Sequence, residues 1–233
     1  MDNLTKNFFL IINPDYFEIQ VVNEKNQILF KEKFILTNRI LGENLNELQI
    51  FLDKNIFKLE KKFNIHIEDI FLIVDNNNFI NIDVSLIKQF KDIPKNYNSL
   101  NDLSNIKENV LVRHDDYQLT HMIINKFVID NVHYSVLPKY DNLKNIFLEV
   151  KFICLKKEVF KNYKNILQKY QISIKSILNY TYVNSFRLNE NQNEYISIIA
   201  KKLLNGLNPN EIRFSKKHTK NYGFFEKFFK FFG

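Results

Sequence analysis

Four histidines in the body of the chain are the first residues whose side chains could hold a metal or move a proton. They are His66, His114, His121 and His133. His121 and His133 would face each other if their strands were neighbours, and Asp115 and Asp116 follow His114. No ligand-type spacing repeats among them, and histidines on strands are more often structural. The sequence therefore predicts no metal site and no acid–base pair.

Two aspartates and one cysteine complete the candidate chemistry. Asp15 and Asp75 match the acidic pair of RNase H-like folds in type, but they fall in predicted turns, where capping is the better interpretation. Cys154 is the single cysteine and lies in the apolar run 146–155, which excludes an internal disulfide and a thiolate metal cluster. We therefore expect no catalytic residues, no cofactor and no enzymatic activity.

The strongest functional pattern lies in residues 223–233. At about 100° per residue, its six phenylalanines share one arc of roughly 160°, with lysines on the opposite arc. This pattern is typical of a short helix at the boundary between lipid tails and headgroups. The predicted membrane-binding residues are Phe224, Phe225, Phe228, Phe229, Phe231, Phe232, Lys227 and Lys230, together with the upstream Lys216, Lys217 and Lys220.

Two other interpretations of this tail stay open. A phenylalanine-rich helix can dock on its own domain or on a partner protein, and the segment can also be disordered. The size of the apolar face favours lipid, because six phenylalanines exposed to water promote aggregation. Each basic residue near an anionic leaflet adds about 1 kcal/mol of attraction.

Composition limits the remaining classes. With 233 residues and 45% hydrophobic residues, the chain can bury a core as one or two domains. The net charge of +7 suits anionic lipid or nucleic acid. No basic stripe interleaved with aromatic residues is present in the body, so nucleic acid is not expected as a partner. No secretory signal and no transmembrane segment is recognisable, so we expect the cytoplasmic side of the inner membrane.

Apolar runs predict the secondary structure. Asn44 is a candidate helix cap, and the turn 75–78 is predicted to join two strands into a pair. A polar stretch with Pro94 predicts a boundary near residue 95. The predicted strands are 8–12, 16–22, 28–35, 70–74, 79–84, 121–130, 146–155 and 172–178. The predicted helices are 44–64, 103–112, 159–170 and 194–207, and 138–142 is predicted to be a loop.

A set of residues in the second half carries a family resemblance. His121, Phe127 and Asp130 are followed by the run Leu148-Glu-Val150, by Asn162 in a helix, and by the strand 172–178. This order resembles the small strand–helix–strand–strand (SHS2) subdomain of the FtsA family, actin-like membrane tethers of bacterial cell division. The first half is similar to the first actin-like subdomain of that family, which also ends in a basic linker and an amphipathic helix.

The chain departs from the family where phosphates would bind. Actin-like ATPases use glycine-rich turns, whereas the turn 11–16 has no glycine and contains Pro14, which lacks an N–H group. The second phosphate loop and the second half of the actin-like body are absent. The four glycines are Gly42, Gly206, Gly223 and Gly233. We expect no ATP binding, and binding of the division protein FtsZ is in doubt.

The sequence thus predicts an α+β protein in five parts. These are an actin-like subdomain (1–95), an SHS2-type subdomain (96–186), a helix (187–207), a basic linker (208–222) and an amphipathic membrane helix (223–233). The resemblance implies a cell-division adaptor that contacts division proteins and copies of itself through an edge of the SHS2-type subdomain, along strand 121–130 or 146–155. In the alternative interpretation, both strands lie inside the sheet and their alternating side chains fill the core. A platform protein of a type IV pilus or secretion machine is the alternative function.

Overall fold

The computed structural model describes residues 5–36, 44–90, 99–136, 144–190 and 193–213, which form a mixed α+β fold with two sheets. The strands are β1 (Asn7–Asn13), β2 (Tyr16–Val22), β3 (Ile28–Ile35), β4 (Asp69–Val74), β5 (Phe79–Gln89), β6 (Tyr117–Ile129), β7 (Val132–Tyr134), β8 (Asn145–Lys156) and β9 (Ser173–Asn179). The helices are α1 (Leu45–Phe63), α2 (Ser99–Arg113), α3 (Lys157–Gln168), α4 (Tyr180–Glu190) and α5 (Ile196–Leu204).

The first sheet has five strands in the order β3-β2-β1-β4-β9. Strand β1 runs antiparallel to β2 and parallel to β4, and β4 runs parallel to β9. Strands β1 and β4 are buried on both faces along most of their length. Their sequences are therefore continuous apolar runs rather than alternating patterns.

Helices cover both faces of this sheet. On one face, Leu10 packs in a cluster with α1 and α3, including Leu52 and Leu167. On the other face, Phe9 packs with α4 and α5, and its ring stacks on Phe71 at 5.1 Å between centroids. Adjacent residues of β1 serve opposite cores because side chains alternate along a strand.

Helix α1 begins and ends close to the predicted residues. The Asn44 side chain makes no capping hydrogen bond. The backbone carbonyl oxygen of Asn44 accepts the Leu48 N–H at 3.0 Å. At the other end, Asn64 adopts a left-handed conformation with φ of 51°, and its N–H donates to the Glu60 carbonyl. Asparagine tolerates this conformation and therefore ends the helix.

The second sheet has four antiparallel strands in the order β5-β8-β6-β7. Helix α2 covers one face, where Leu103 and Val110 pack against Met122 and Phe152. Cys154 is a fully buried free thiol on β8, as predicted for a structural strand residue. Burial raises the pKa of this thiol to about 11.

Two predicted strand groupings were wrong. Strand β4 does not pair with β5, because β4 lies between β1 and β9 whereas β5 pairs with β8. Strand 172–178, assigned to the second subdomain, is β9 of the first sheet, and α3 packs in the core of the first sheet with α1. The sequence of the turn 75–78 shows only that the chain turns. The continuous apolar run of β4 is typical of a strand in the middle of a sheet, which has a neighbouring strand on each side.

The second sheet is consequently an insertion between β4 and α3. The Lys156 N–H donates to the Asn78 carbonyl at 3.1 Å, which closes the base of the insertion. Strands 121–130 and 146–155 are both internal, so neither can be the predicted contact edge. Helix α4 was not predicted, because its sequence lacks a regular apolar stripe. The predicted loops 92–101 and 138–142 lie wholly or largely outside the described residues.

Candidate functional site

A cleft lies where β1 and β4 end side by side. Strand β1 leads into the two-residue turn Pro14–Asp15, and β4 leads into Asp75. The cleft has a volume of about 190 Å³. Its walls come from the end of β1, the start of β2, the residue after β3, the turn after β4, the start of α1 and one residue of α3. The wall residues are Ile12, Asn13, Pro14, Phe17, Leu36, Asn44, Leu45, Leu48, Asp75, Asn76, Asn77, Asn78 and Tyr163.

Asparagine side chains organise this cleft. The Asn13 side chain donates from Nδ2 to Asp75 Oδ2 at 2.8 Å and accepts the Asp15 N–H at 3.0 Å. Asn76 donates to the Tyr163 hydroxyl at 3.3 Å. Asp15 and Asp75 thus lie in turns, as the sequence predicts. Burial raises the pKa of the Asp75 carboxyl, and the charge of Asp15 raises it further.

Replacing Asp75 with asparagine should stabilise the protein by less than about 1 kcal/mol at pH 7, because a partly exposed charge has a small effect. A carboxyl whose pKa is raised on folding contributes stability below its unfolded pKa, near 3.8, and that contribution is lost as the pH rises through the folded pKa. The introduced amide would retain an acceptor oxygen for Asn13. Urea unfolding at pH 3 and pH 7 measures the effect, and a variant less stable than the wild type at pH 7 would contradict it.

The chemistry of the cleft does not match a phosphate cradle. Phosphate loops present several backbone N–H groups to the anion. Here Pro14 has no N–H, the Asp15 N–H is bonded to Asn13, and the Asp75 N–H is bonded to the Ile12 carbonyl at 2.8 Å. The Asp75 carboxylate in the wall of the cleft would also repel a phosphate group. The volume is below the range of about 300–1,000 Å³ typical of ligand pockets.

The second polar region lies at the junction of the two sheets and is centred on His121 of β6. The Asn179 N–H, at the end of β9, donates to His121 Nε2 at 3.0 Å. That bond makes Nε2 an acceptor, so Nδ1 carries the proton and donates to Glu211 Oε1 at 2.8 Å. Both side chains are buried, and the Tyr182 ring packs on His121 at 4.5 Å between centroids. His121 of the second sheet thus links Asn179 of the first sheet to Glu211, which belongs to a third segment of the chain.

That third segment is Asn208–Arg213, which we call the strap. It follows α5 after Gly206, whose φ of 93° fits the predicted end of that helix. The Ile124 N–H donates to the Asn210 carbonyl at 3.0 Å, and the Ile212 N–H donates to the Met122 carbonyl at 2.8 Å. The strap therefore pairs with β6 as a short antiparallel bridge.

Glu211 is the acceptor shared by the junction. Its carboxylate also accepts from the Tyr182 hydroxyl at 3.2 Å and from the Arg213 guanidinium at 3.1 Å. Burial alone would raise the pKa of Glu211, but the hydrogen bond from His121 and the charge and hydrogen bond of Arg213 outweigh it and lower the pKa. Arg213 also donates to the Leu203 and Leu204 carbonyls at the end of α5. The chain is therefore held in place up to Arg213.

A cleft of about 360 Å³ opens beside the junction, between α2, β6, β9 and the strap. Its walls combine apolar and polar side chains, among them Leu119, Thr120, Ser176 and Leu178. His121 and Glu211 form part of its floor, so any molecule bound there would contact the strap.

The remaining histidines are apart from one another. His133 lies opposite Val128 on β6, so it does not face His121 as considered from the sequence. His66 forms a surface pair with Glu60 at 2.7 Å. Within the described ranges, no group of three potential metal-ligating side chains occurs.

All eleven predicted membrane-binding residues, from Lys216 to Phe232, lie outside the described residues. Among the helices that the structure describes, none is long and apolar enough to cross a bilayer. The junction was not found from the sequence, although one signal was present. Glu211-Ile-Arg213 alternates charged and apolar residues next to a helix-ending Gly206 and Pro209, which is compatible with a short strand.

Comparisons with known proteins show limited likeness. No family model and no curated protein sequence matches the chain. Among solved structures, the PilM–PilN type IV pilus biogenesis complex matches with a TM-score of 0.49 and 10% identity, over 78% of this chain and 49% of that one. A Bacteroides thetaiotaomicron protein with an actin-like ATPase fold matches with a TM-score of 0.32 and 11% identity, over 81% of this chain and 60% of that one.

A third structure, Marinitoga piezophila Argonaute with guide RNA, matches with a TM-score of 0.24 and 16% identity, over 71% of this chain and 26% of that one. The chain therefore spans about half the length of the first of these proteins and less than two thirds of the second. These likenesses are too weak to assign an activity, a substrate or a partner.

Proposed function

We propose that this protein is a non-enzymatic adaptor of actin-like type that attaches to the cytoplasmic face of the inner membrane through residues 223–233, and that it acts in cell division. The order of its parts supports the proposal: a body, an inserted subdomain, a basic linker and a predicted phenylalanine-faced helix follow one another as in the FtsA family. The first sheet adds support, because its three antiparallel strands followed by a helix and further strands, in the order β3-β2-β1-β4-β9, resemble the first actin-like subdomain of that family.

The strap is the observation that carries the proposal. A membrane tail transmits force or position only if the chain is firmly joined to the body before the tail begins. The strap is joined to β6 by two backbone hydrogen bonds, and Arg213 binds the end of α5. The strap forms the first six residues of the predicted linker 208–222, so a tail bound to lipid would hold both sheets at the membrane surface.

The cleft at the ends of β1 and β4 supports an adaptor without nucleotide chemistry. The Asp15 and Asp75 N–H groups are used by the fold, Pro14 has no N–H group, and the Asp75 carboxylate would oppose bound phosphate. An adaptor needs only surfaces and an anchor. Saturable, tight ATP binding would overturn this part of the proposal.

Co-sedimentation with phosphatidylglycerol-containing vesicles tests membrane attachment. The intact chain should pellet, and a form truncated after Tyr222 should stay in solution. A double variant, Phe228→Ser with Phe229→Ser, should bind at least about tenfold more weakly, since each fully buried phenylalanine is worth roughly 1.5–3 kcal/mol. Lys227→Gln with Lys230→Gln is the matched variant on the polar arc, and its weakening should disappear at high salt.

The pattern of results decides between lipid and protein as the target of the tail. If the truncated form pellets as well as the intact chain, the tail is not the anchor. If the intact chain stays in solution with every vesicle composition, the phenylalanine face docks on protein and the proposal fails. Lipid binding alone does not establish the process, so a fluorescent fusion should also concentrate at mid-cell.

A platform protein of a type IV pilus or secretion machine is the second candidate. The 360 Å³ cleft beside the junction favours it, because an open groove between two sheets suits an extended segment of a membrane partner. This candidate predicts that the purified protein ignores vesicles. A fluorescent fusion of this protein that does not concentrate at mid-cell would support the same candidate.

A further inference from the structure

The two sheets have four edges, and they are protected to different degrees. In the first sheet, edge strand β3 carries the charged run Lys31-Glu-Lys33, and edge strand β9 carries Lys175 and a register shift against β4. In the second sheet, edge strand β7 has only three residues. Charges, irregular pairing and short length are the usual devices that prevent an edge from pairing with another chain.

Edge strand β5 lacks most of this protection. It has eleven residues without proline, it pairs with β8 in unbroken register, and its central part carries Asp83 as its single charge. Within the described ranges, no strand lies on its other side. A long, regular edge of this kind is a template for backbone pairing with another strand.

The core of the second sheet also remains open along β5. Ile80, Ile82, Val84 and Leu86 face the α2 side and are only partly buried. Their partners on β8 are almost completely buried, with relative exposures of 0–1%. These partners are Cys154, Phe152, Val150 and Leu148. The apolar layer therefore runs to the edge of the sheet, where no described residue covers it.

We propose that β5 pairs antiparallel with β5 of a second copy of this chain, with Val84 opposite Val84, to form a continuous eight-stranded sheet. In this register Ile82 lies opposite Leu86 of the second copy, on the face that α2 covers. The open apolar rows of the two copies then become one row and cover each other. The pairing goes beyond the proposed function, and it does not depend on lipid binding.

Charge favours a second copy as the occupant. On the outer face, Asp83 lies opposite Ser85 of the second copy, so no like charges oppose each other. Lys88 lies opposite Ile80 of the second copy and is held by Asp102 of α2 at 2.8 Å. In this register, β5 therefore places no like charges opposite each other when it pairs with β5 of a second copy. A two-fold symmetric dimer requires such a self-complementary surface.

A pair of substitutions at Ser85 tests both the dimer and its register. Ser85 is exposed, so neither change removes a core contact. Ser85→Asp would oppose Asp83 of the second copy at two symmetric positions and should weaken dimerisation by about two- to thirtyfold. Ser85→Lys would form two ion pairs there and should leave dimerisation equal or stronger. Asn165→Asp, an exposed position on α3, controls for net charge and should change nothing.

The measurement is sedimentation equilibrium of the full chain over a concentration series without lipid. The expected result is a particle of twice the chain mass, shifted toward monomer by Ser85→Asp alone. A monomer at all concentrations up to about 100 μM, in the range of weak complexes, would overturn the proposal, as would a dimer indifferent to both substitutions at Ser85. Thermal melts of each variant check that the fold is retained, because Ser85 also lies opposite Glu149 on β8.

A final arm separates this proposal from membrane attachment. The variant with Phe228→Ser and Phe229→Ser should dimerise as the wild type does, whether or not vesicles bind the tail. If those two changes abolish the dimer, the tail is the source of self-association and the β5 assignment fails. If vesicle binding fails but Ser85→Asp still dissociates the dimer, the membrane proposal alone is lost.

Discussion

Glu211→Ala should lower the free energy of unfolding by about 3–5 kcal/mol, because it removes a buried carboxylate that accepts three hydrogen bonds, and hydrogen bonds to charged groups are worth about 1.5–3 kcal/mol each. The carboxylate accepts from His121, Tyr182 and Arg213, and its side chain is 5% exposed. Alanine would leave the buried His121 Nδ1–H without its acceptor and would loosen the strap from both sheets. Urea unfolding followed by circular dichroism gives the change in midpoint and slope.

Two comparisons make this result specific to the junction. Glu211→Gln keeps an acceptor oxygen and should lose less stability than alanine. Glu32→Ala removes one partner of the surface pair with Lys58, at 2.9 Å, and should cost less than about 1 kcal/mol. A loss below about 1 kcal/mol for Glu211→Ala, as for an exposed pair, would show that the strap does not stabilise the body.

The effect should also depend on pH in a defined direction. Because folding lowers the pKa of Glu211, its contribution is present above the ordinary value of 4.5 and is lost as the pH falls through the lower folded pKa. The difference between wild type and Glu211→Ala should therefore shrink as the pH falls below that ordinary value. A difference that grows on acidification would contradict the assigned hydrogen bonds.

Phe152→Ala should cost about 3–5 kcal/mol, as is usual for removing a phenylalanine from a packed core. Phe152 is fully buried on β8, the inner strand between β5 and β6, and packs under α2. The cavity would lie between the sheet and α2, where no side chain can fill it without moving the backbone. Ile87→Ala on the exposed face of β5 is the control and should change stability by less than about 0.5 kcal/mol.

Phe152→Ala also reports whether the two sheets unfold together. Cys154 lies near Phe152 on β8 and is the single thiol, and its raised pKa keeps the thiolate scarce in the folded protein. Thiol labelling therefore measures opening of the second sheet, whereas circular dichroism averages over both. Coincident urea midpoints in Phe152→Ala would show that the two sheets unfold as one unit. Labelling at lower urea than the loss of helix would show that the insertion unfolds alone.

Local sequence pattern was sufficient to predict most strands and helices. Strands β2 and β3 begin and end where the apolar periodicity indicated, and α1 begins after Asn44 as expected. The assignment of strands to sheets was not predictable in the same way. Strands β4 and β9 are far apart along the chain, and neither apolar run specifies its partner. The family resemblance placed β9 in the wrong sheet for that reason.

The junction was unpredictable for a related reason. His121 and Glu211 are separated by 90 residues, and nothing in either local sequence shows that both side chains are buried. His121 was recognised as a residue with possible chemistry, but its partner was sought at His133. The tail pattern depends only on spacing within a short segment, and it stays a prediction that vesicle binding will test.

The closed base of the insertion has a consequence for folding. Joining β9 to β4 in an otherwise unfolded chain requires closing a loop from Val74 to Ser173, which is entropically costly. Once β5 and β8 are paired, however, Asn78 and Lys156 are held together by their hydrogen bond. The loop that remains to be closed is then only the turn 75–78 and α3. We expect the insertion to form first and β9 to dock last, so the nascent chain would complete its first sheet only after its second.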